Sequence, residues 1–185
     1  VNKIRADFPI LSRNVNNKPL VYLDNGSSAQ KPKAVIDAVS KAYSEEYSNV
    51  HRGLHTLSNL ATDNYESVRG KIQNFLGAEH PEEIIFNSGA TEGINTVSYS
   101  WAVPNLKAGD EIILSIMEHH ANIIPWHFLR ERQGVVIKWV ETDENGDLDA
   151  QAVIDAINPK TKLIAITQMS NVLGTVVDVK EICRV

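Results

Sequence analysis

Cysteine is almost missing from these 185 residues: Cys183 is the single one. One thiol can build neither an internal disulfide framework nor a cysteine metal cluster, which fits a reducing compartment, so a cytoplasmic location is expected. Cys183 itself is expected to face a core as a small apolar residue. Basic charge is not in excess either. Lys and Arg total 18 against 23 Asp and Glu, a net charge of −5. With no basic block, nucleic acid is not expected as a partner. No apolar run approaches the ~20 residues of a membrane span. The start, "VNKIRADFPILS", has no cationic leader before an apolar stretch, so neither secretion nor membrane attachment is expected.

Several chemical signatures are also missing. There is no Gly-Lys-Ser/Thr phosphate loop, no G-x-G-x-x-G dinucleotide turn and no G-x-S-x-G nucleophile elbow. His51 and His55 in "HRGLH" stand at i and i+4, but Gly53 between them and the loop context speak against a metal site, and H-E-x-x-H is absent. Trp101, Trp126 and Trp139 fall in helix or strand patterns and are expected in a core or an interface.

What is present is an ordered alternation. "LVYLD" (20–24) predicts a short strand, and Pro32 opens a helix with Val35, Ile36, Val39 and Tyr43 at helical spacing. "NVHRGLHTLS" (49–58) is expected as a loop before a second helix carrying Leu60, Tyr65, Val68, Ile72 and Phe75. From residue 83 the pattern is regular: strands at 83–87, 111–116, 135–140 and 162–168 alternate with helices at 91–102, 121–132 and 149–157. Such spacing implies parallel βαβ units with right-handed crossovers, an α/β architecture. "DVKEICRV" begins a further helix with no stop signal, so the sequence is expected to be one part of a longer chain.

In a parallel sheet, ligands bind outside the carboxyl ends of the strands. "IIFNSGATEGIN" passes from an apolar run through a small-residue turn into a helix start. Backbone N–H groups and the Thr91 hydroxyl there can hold a phosphate, although plain capping by Ser88 explains the same residues. "MEHHAN" follows the next strand with His119 and His120, and "MSNVLGT" follows the last with Ser170 and Asn171. An anion turn, an imidazole and a carboxamide are thus delivered to one sheet edge.

Taken together, "RADFPIL", "YLDNGSSAQKP", "NVHRGLHTLS", "SGATEGIN", "EHHANIIPW" and "SNVLGT" resemble the amino-terminal half of a group II cysteine desulfurase. This is the Suf-type, selenocysteine-lyase-like branch of the class V aminotransferase family. The resemblance implies a fold type I transferase dependent on pyridoxal 5′-phosphate, incomplete in this chain. Residues 1–20 would belong to a small domain and dimer contacts, and 21–185 to the first part of the cofactor-binding large domain. It further implies a homodimer that takes sulfur from L-cysteine (or selenium from L-selenocysteine), giving L-alanine and an enzyme persulfide. A sulfur-acceptor protein would carry the sulfur to iron–sulfur cluster assembly.

Carried over by position, Ala90 and Thr91 would hold the cofactor phosphate. His119 would stack on its ring and help move protons, making it the catalytic residue of this half. Asn171 would bond the ring oxygen or the substrate, while His51 and Gly26 would lie at the substrate. Two departures stand out: Ala90 replaces a threonine common in Suf-type members, and Gly26-Ser27 replaces a frequent Ala-Ala pair. The family's lysine, ring-nitrogen aspartate and nucleophilic cysteine belong to later motifs, and Cys183 matches none of them. These 185 residues alone are therefore expected to be inactive and to leave a gap in the sheet. The rival expectations are another class V enzyme, such as a selenocysteine lyase or cysteine sulfinate desulfinase, and a non-catalytic phosphate-binding module.

Overall fold

Arg5 organises the first twenty residues. From helix α1 (Asn2–Ala6) its guanidinium donates to Leu11 O at 2.8 Å and Leu20 O at 2.6 Å. Between those carbonyls, strands β1 (Asn14–Val15) and β2 (Lys18–Pro19) form an antiparallel hairpin. Its two turn residues, Asn16 and Asn17, have φ of 52° and 60°, the doubly positive geometry that matches strand twist and that asparagine tolerates. The computed structural model describes all residues 1–185, in two units, Val1–Ile85 and Phe86–Val185.

Residues 20–24 do not form the expected strand. Val21 and Leu23 are 75% and 91% exposed, and no strand of the chain lies beside them. An apolar run becomes a strand only where a neighbour supplies its ladder. Helix α2 (Lys33–Lys41) does follow Pro32 and continues into a π-type turn, Ala42–Glu46. Helix α3 (Thr56–Leu76) takes in the last three residues of the expected loop, because His55 Nδ1 accepts the Ser58 N–H at 3.3 Å and caps it. It stops at Gly77, whose φ of 72° suits a left-handed C-cap. Val35, Val39, Leu60, Val68 and Phe75, placed at helical spacing, remain exposed.

The second unit begins with helix α4 (Ala90–Val97), which runs through a π-type turn (Ser98–Ala102) into α5 (Val103–Asn105). The wide turn comes just before Pro104, which has no N–H for the helical ladder. Then follow strand β3 (Glu111–Ser115), helix α6 (Ile124–Gln133), strand β4 (Val136–Val140), helix α7 (Ala150–Asp155), strand β5 (Thr161–Ile164) and helix α8 (Val179–Ile182). The three strands are parallel in the order β4-β3-β5, so the α/β expectation holds.

Central strand β3 is covered on both faces, as a parallel strand requires. Its alternation sorts the core. Ile112 and Leu114 pack with Ala102, Leu106, Trp126 and Leu129, while Ile113 packs with Val140, Leu148, Val153, Val177 and Ile182. Trp126 is thus a core residue, and Trp101 and Trp139 are exposed.

Two further expectations fail. Of residues 83–87, Glu83 ends a 3-10 turn (Pro81–Glu83) and 84–87 run on without joining a sheet; Ile84 is buried, but Ile85 is 71% exposed. Cys183 does not face the core but is exposed. Asp178 caps α8 by accepting the Glu181 N–H at 3.1 Å, and the helical phase this sets puts Ile182 inside instead.

Candidate functional site

The carboxyl ends of β3 and β5 and the first turn of α4 border one cleft of about 350 Å³. Ala90 and Ile94 line it from α4, Glu118, His119 and Asn122 from the segment after β3, and Thr167 from beyond β5.

The α4 entrance is built by local hydrogen bonds. Asn87 Oδ1 accepts the Gly89 N–H at 2.9 Å. Glu92 Oε2 accepts both the Ser88 N–H, at 2.7 Å, and the Ser88 hydroxyl. Those bonds hold the Glu92 carboxyl below the usual carboxylate range. Ser88 is therefore not the side-chain cap. Gly89 occupies the N-cap, with φ 145° and ψ 176°, a conformation essentially reserved for glycine. Gly93 is matched to this turn, since a Cβ there would come 3.0 Å from Asn87 Nδ2. With Ser88 and Gly89 satisfied, the N–H groups of Ala90 and Thr91 open the helix, where helical geometry leaves them without an intrahelical acceptor. The positive end of the helix dipole lies at the same place.

His119 has extended backbone, φ −67° and ψ 146°, and its Nδ1 accepts the Ala121 N–H at 3.1 Å. With Nδ1 used as acceptor, the proton of the neutral ring belongs on Nε2. The adjacent His120 ring is tilted 55° away, with centroids 6.2 Å apart. Beneath them, the buried Glu118 accepts from Ser115 Oγ at 2.5 Å, the Thr167 N–H at 2.9 Å and Asn122 Nδ2 at 2.8 Å.

Asn171 occupies an exposed turn, held by Ser170 Oγ accepting the Val172 and Leu173 N–H groups, and is not among the cleft residues. His51 and Gly26 belong to the first unit. Gly26 sits in a turn closed by Ser27 and Ser28 N–H donating to Asp24 O. His51 and Arg52 both adopt left-handed backbone, φ 62° and 55°. The His51 N–H donates to Thr62 Oγ1 at 2.9 Å, and its Nε2 lies 2.7 Å from Glu66 Oε1. Adjacent left-handed non-glycine residues of this kind gather at functional sites more than elsewhere.

Residues 21–185 match the family model described as aminotransferase class-V. The chain belongs to the class V aminotransferase family. Among class V relatives, the cysteine desulfurase of Salmonella newport is 51% identical over 175 residues, which is 95% of this chain and 43% of that protein. The crystal structure of the cysteine desulfurase CsdA from Escherichia coli superposes with a TM-score of 0.82 at 34% identity, covering 99% of this chain and 45% of that one. The apo cysteine desulfurase of Thermococcus onnurineus gives 0.88 at 33% identity, covering 99% and 44%. This class V chain therefore spans less than half the length of the relatives it matches.

Sequence reasoning passed over Glu118, Asn122 and Thr167, although all three border the class V cleft. A signal existed. Glu118 and Asn122 stand at i and i+4 on either side of the histidines, just after an apolar strand. An acidic residue there faces the interior and needs donors close by.

Proposed function

We propose that this chain forms the cofactor cradle of a cysteine desulfurase of the Suf-type, group II branch, which takes sulfur from L-cysteine with pyridoxal 5′-phosphate. The observation that carries this reading is the cleft where the first turn of α4 meets His119. The donors fit a phosphorylated ring. Ala90 and Thr91 offer N–H groups at a helix N-terminus, and the open space beside Gly89 leaves room for an anion, with nothing within 4 Å of its would-be Cβ.

In this reading Ala90 and Thr91 bind the phosphate, with the Thr91 hydroxyl as a further donor. Ala90, lacking a hydroxyl, contributes only its N–H. His119 lays its ring against the cofactor ring, and Nε2 is the atom that holds and passes a proton. Asn171 donates to the ring oxygen or the substrate, and His51 and Gly26 serve the substrate. Pyridoxal 5′-phosphate, when bound, supplies an electron sink, and the protein supplies orientation and electrostatics. The reading extends to a homodimer in the cytoplasm and to a sulfur-acceptor protein feeding iron–sulfur cluster assembly. L-Selenocysteine is the second substrate it admits. No helix is long and apolar enough to cross a membrane.

The test is release of sulfide and alanine from L-cysteine by the intact protein, supplied with pyridoxal 5′-phosphate and a thiol reductant. Equal amounts of both products, lost in His119→Ala, are expected. Cofactor-independent sulfide release, or none from an otherwise folded protein, would count against the reading.

A further inference from the structure

We infer that Glu118 is a positioning residue, which clamps the ends of β3 and β5 together and thereby fixes the His119 ring over the cleft. The inference rests on the cofactor reading for its catalytic consequence, but the clamp itself is visible without it. Glu118 is 8% exposed, and each carboxylate oxygen is engaged. Oε1 accepts the Ser115 hydroxyl at the end of β3 and the Thr167 N–H past the end of β5; Oε2 accepts Asn122 Nδ2. Asn122 carries the link further. The same amide donates to Ala165 O at 2.9 Å, and its Oδ1 accepts the Trp126 indole N–H at 3.1 Å.

The consequence for His119 follows from the ring of bonds around it. Side chains 118 and 122 are joined, the Asn122 N–H donates to His119 O at 2.7 Å, and the Ala121 N–H donates to His119 Nδ1. His119 is exposed, and the hydrogen bond its ring makes is the one from the Ala121 N–H to Nδ1. Its orientation and its Nε2–H tautomer are set by this five-residue loop, and the loop is set by a buried carboxylate with three donors. A charge-bearing acceptor here gives stronger bonds than a neutral one.

Glu118→Gln is the mild variant. Its Oε1 can still accept from Ser115 and Thr167, but its Nε2 meets Asn122 Nδ2, donor against donor. Glu118→Ala removes all three bonds. In the intact, cofactor-free protein, at a pH where the ring is neutral, His119 is expected to show one signal set with the proton on Nε2, by ¹⁵N correlation. Both variants should shift that set, and Glu118→Ala should average the two tautomers. With pyridoxal 5′-phosphate bound, the cofactor's visible circular dichroism should fall in the same order. The kcat should drop by about tenfold in Glu118→Gln and on the order of 100-fold in Glu118→Ala, with KM within about twofold, as for misplacement of a reacting group.

A purely structural carboxylate would lower the melting temperature and leave the ring signals and the cofactor dichroism unchanged, and that result would overturn the inference. It would leave the cofactor reading standing. Failure of the unmodified protein to take up pyridoxal 5′-phosphate would sink the cofactor reading, and the ring signals would still decide the clamp.

Discussion

Trp126 Nε1 donates to Asn122 Oδ1 at 3.1 Å, so the buried indole of the core and the rim of the cleft share one hydrogen bond. Asn122→Ala would leave the Trp126 N–H without its acceptor at a residue only 2% exposed. It would also release Ala165 O and one oxygen of Glu118. An orphaned buried group costs about 1–3 kcal/mol. Denaturant titration should therefore show a lower midpoint with an unchanged slope, and a midpoint equal to wild type would refute the coupling.

Gly89→Ala tests the anion turn. Its φ of 145° costs a residue with a Cβ about 1–3 kcal/mol, although the space beside it is open. The chain can relieve that strain only by re-aiming the first turn of α4. Affinity for pyridoxal 5′-phosphate, measured by equilibrium titration, is expected to fall by about tenfold or more, with helical content by circular dichroism retained.

Gly53→Ala tests the first unit. A Cβ at Gly53 would stand 2.0 Å from Ser58 Oγ and 2.3 Å from Ser58 Cβ. Ser58 is fully buried and donates to Asn49 O at 2.9 Å, so it has nowhere to retreat. Overpacking of this kind costs about 1–3 kcal/mol, and the loop holding His51 should lose amide-exchange protection. Gly53→Ala with wild-type stability and protection would show that the loop does not lie against α3 in this way.

Glu92 gives a pH dependence with a definite sign. The Ser88 hydroxyl and N–H bonds lower its pKa from the ordinary 4.5. A carboxylate with a depressed folded pKa adds stability above its unfolded pKa and loses it as pH falls through the folded value. Acidification below pH 4.5 should therefore release Ser88 and loosen the α4 entrance. A carboxyl-carbon titration followed by NMR should place the Glu92 midpoint below 4.5, and Ser88→Ala should raise it. A midpoint unmoved by Ser88→Ala would refute the assignment of cause.

How much of this was legible beforehand depended on whether a signal was local. Strands β3, β4 and β5 announce themselves because each carries its own apolar run and finds its partners within the chain. The segments at 20–24 and 83–87 carry equally good strand composition, but no strand of the chain pairs with either, and composition cannot supply a neighbour. The start of α4 was readable from "SGATEG", whereas the cap was not. Whether Ser88 serves the helix or Glu92 is decided by side-chain geometry. Cys183 was misplaced because the phase of α8 is set by Asp178, five residues earlier. Glu118 was missed because two histidines beside it drew the chemical reading, while its importance comes from burial and from a donor forty-nine residues away at Thr167.

The proposed cradle stands or falls on whether the first-turn N–H groups of α4 hold the phosphate of pyridoxal 5′-phosphate. The backbone amides of the intact protein, followed during titration with that compound, decide it. Ala90 and Thr91 should shift most, saturably, and inorganic phosphate should move the same two amides less strongly. If pyridoxal 5′-phosphate binds while Ala90 and Thr91 stay still, the phosphate lies elsewhere and the α4 entrance is not its cradle.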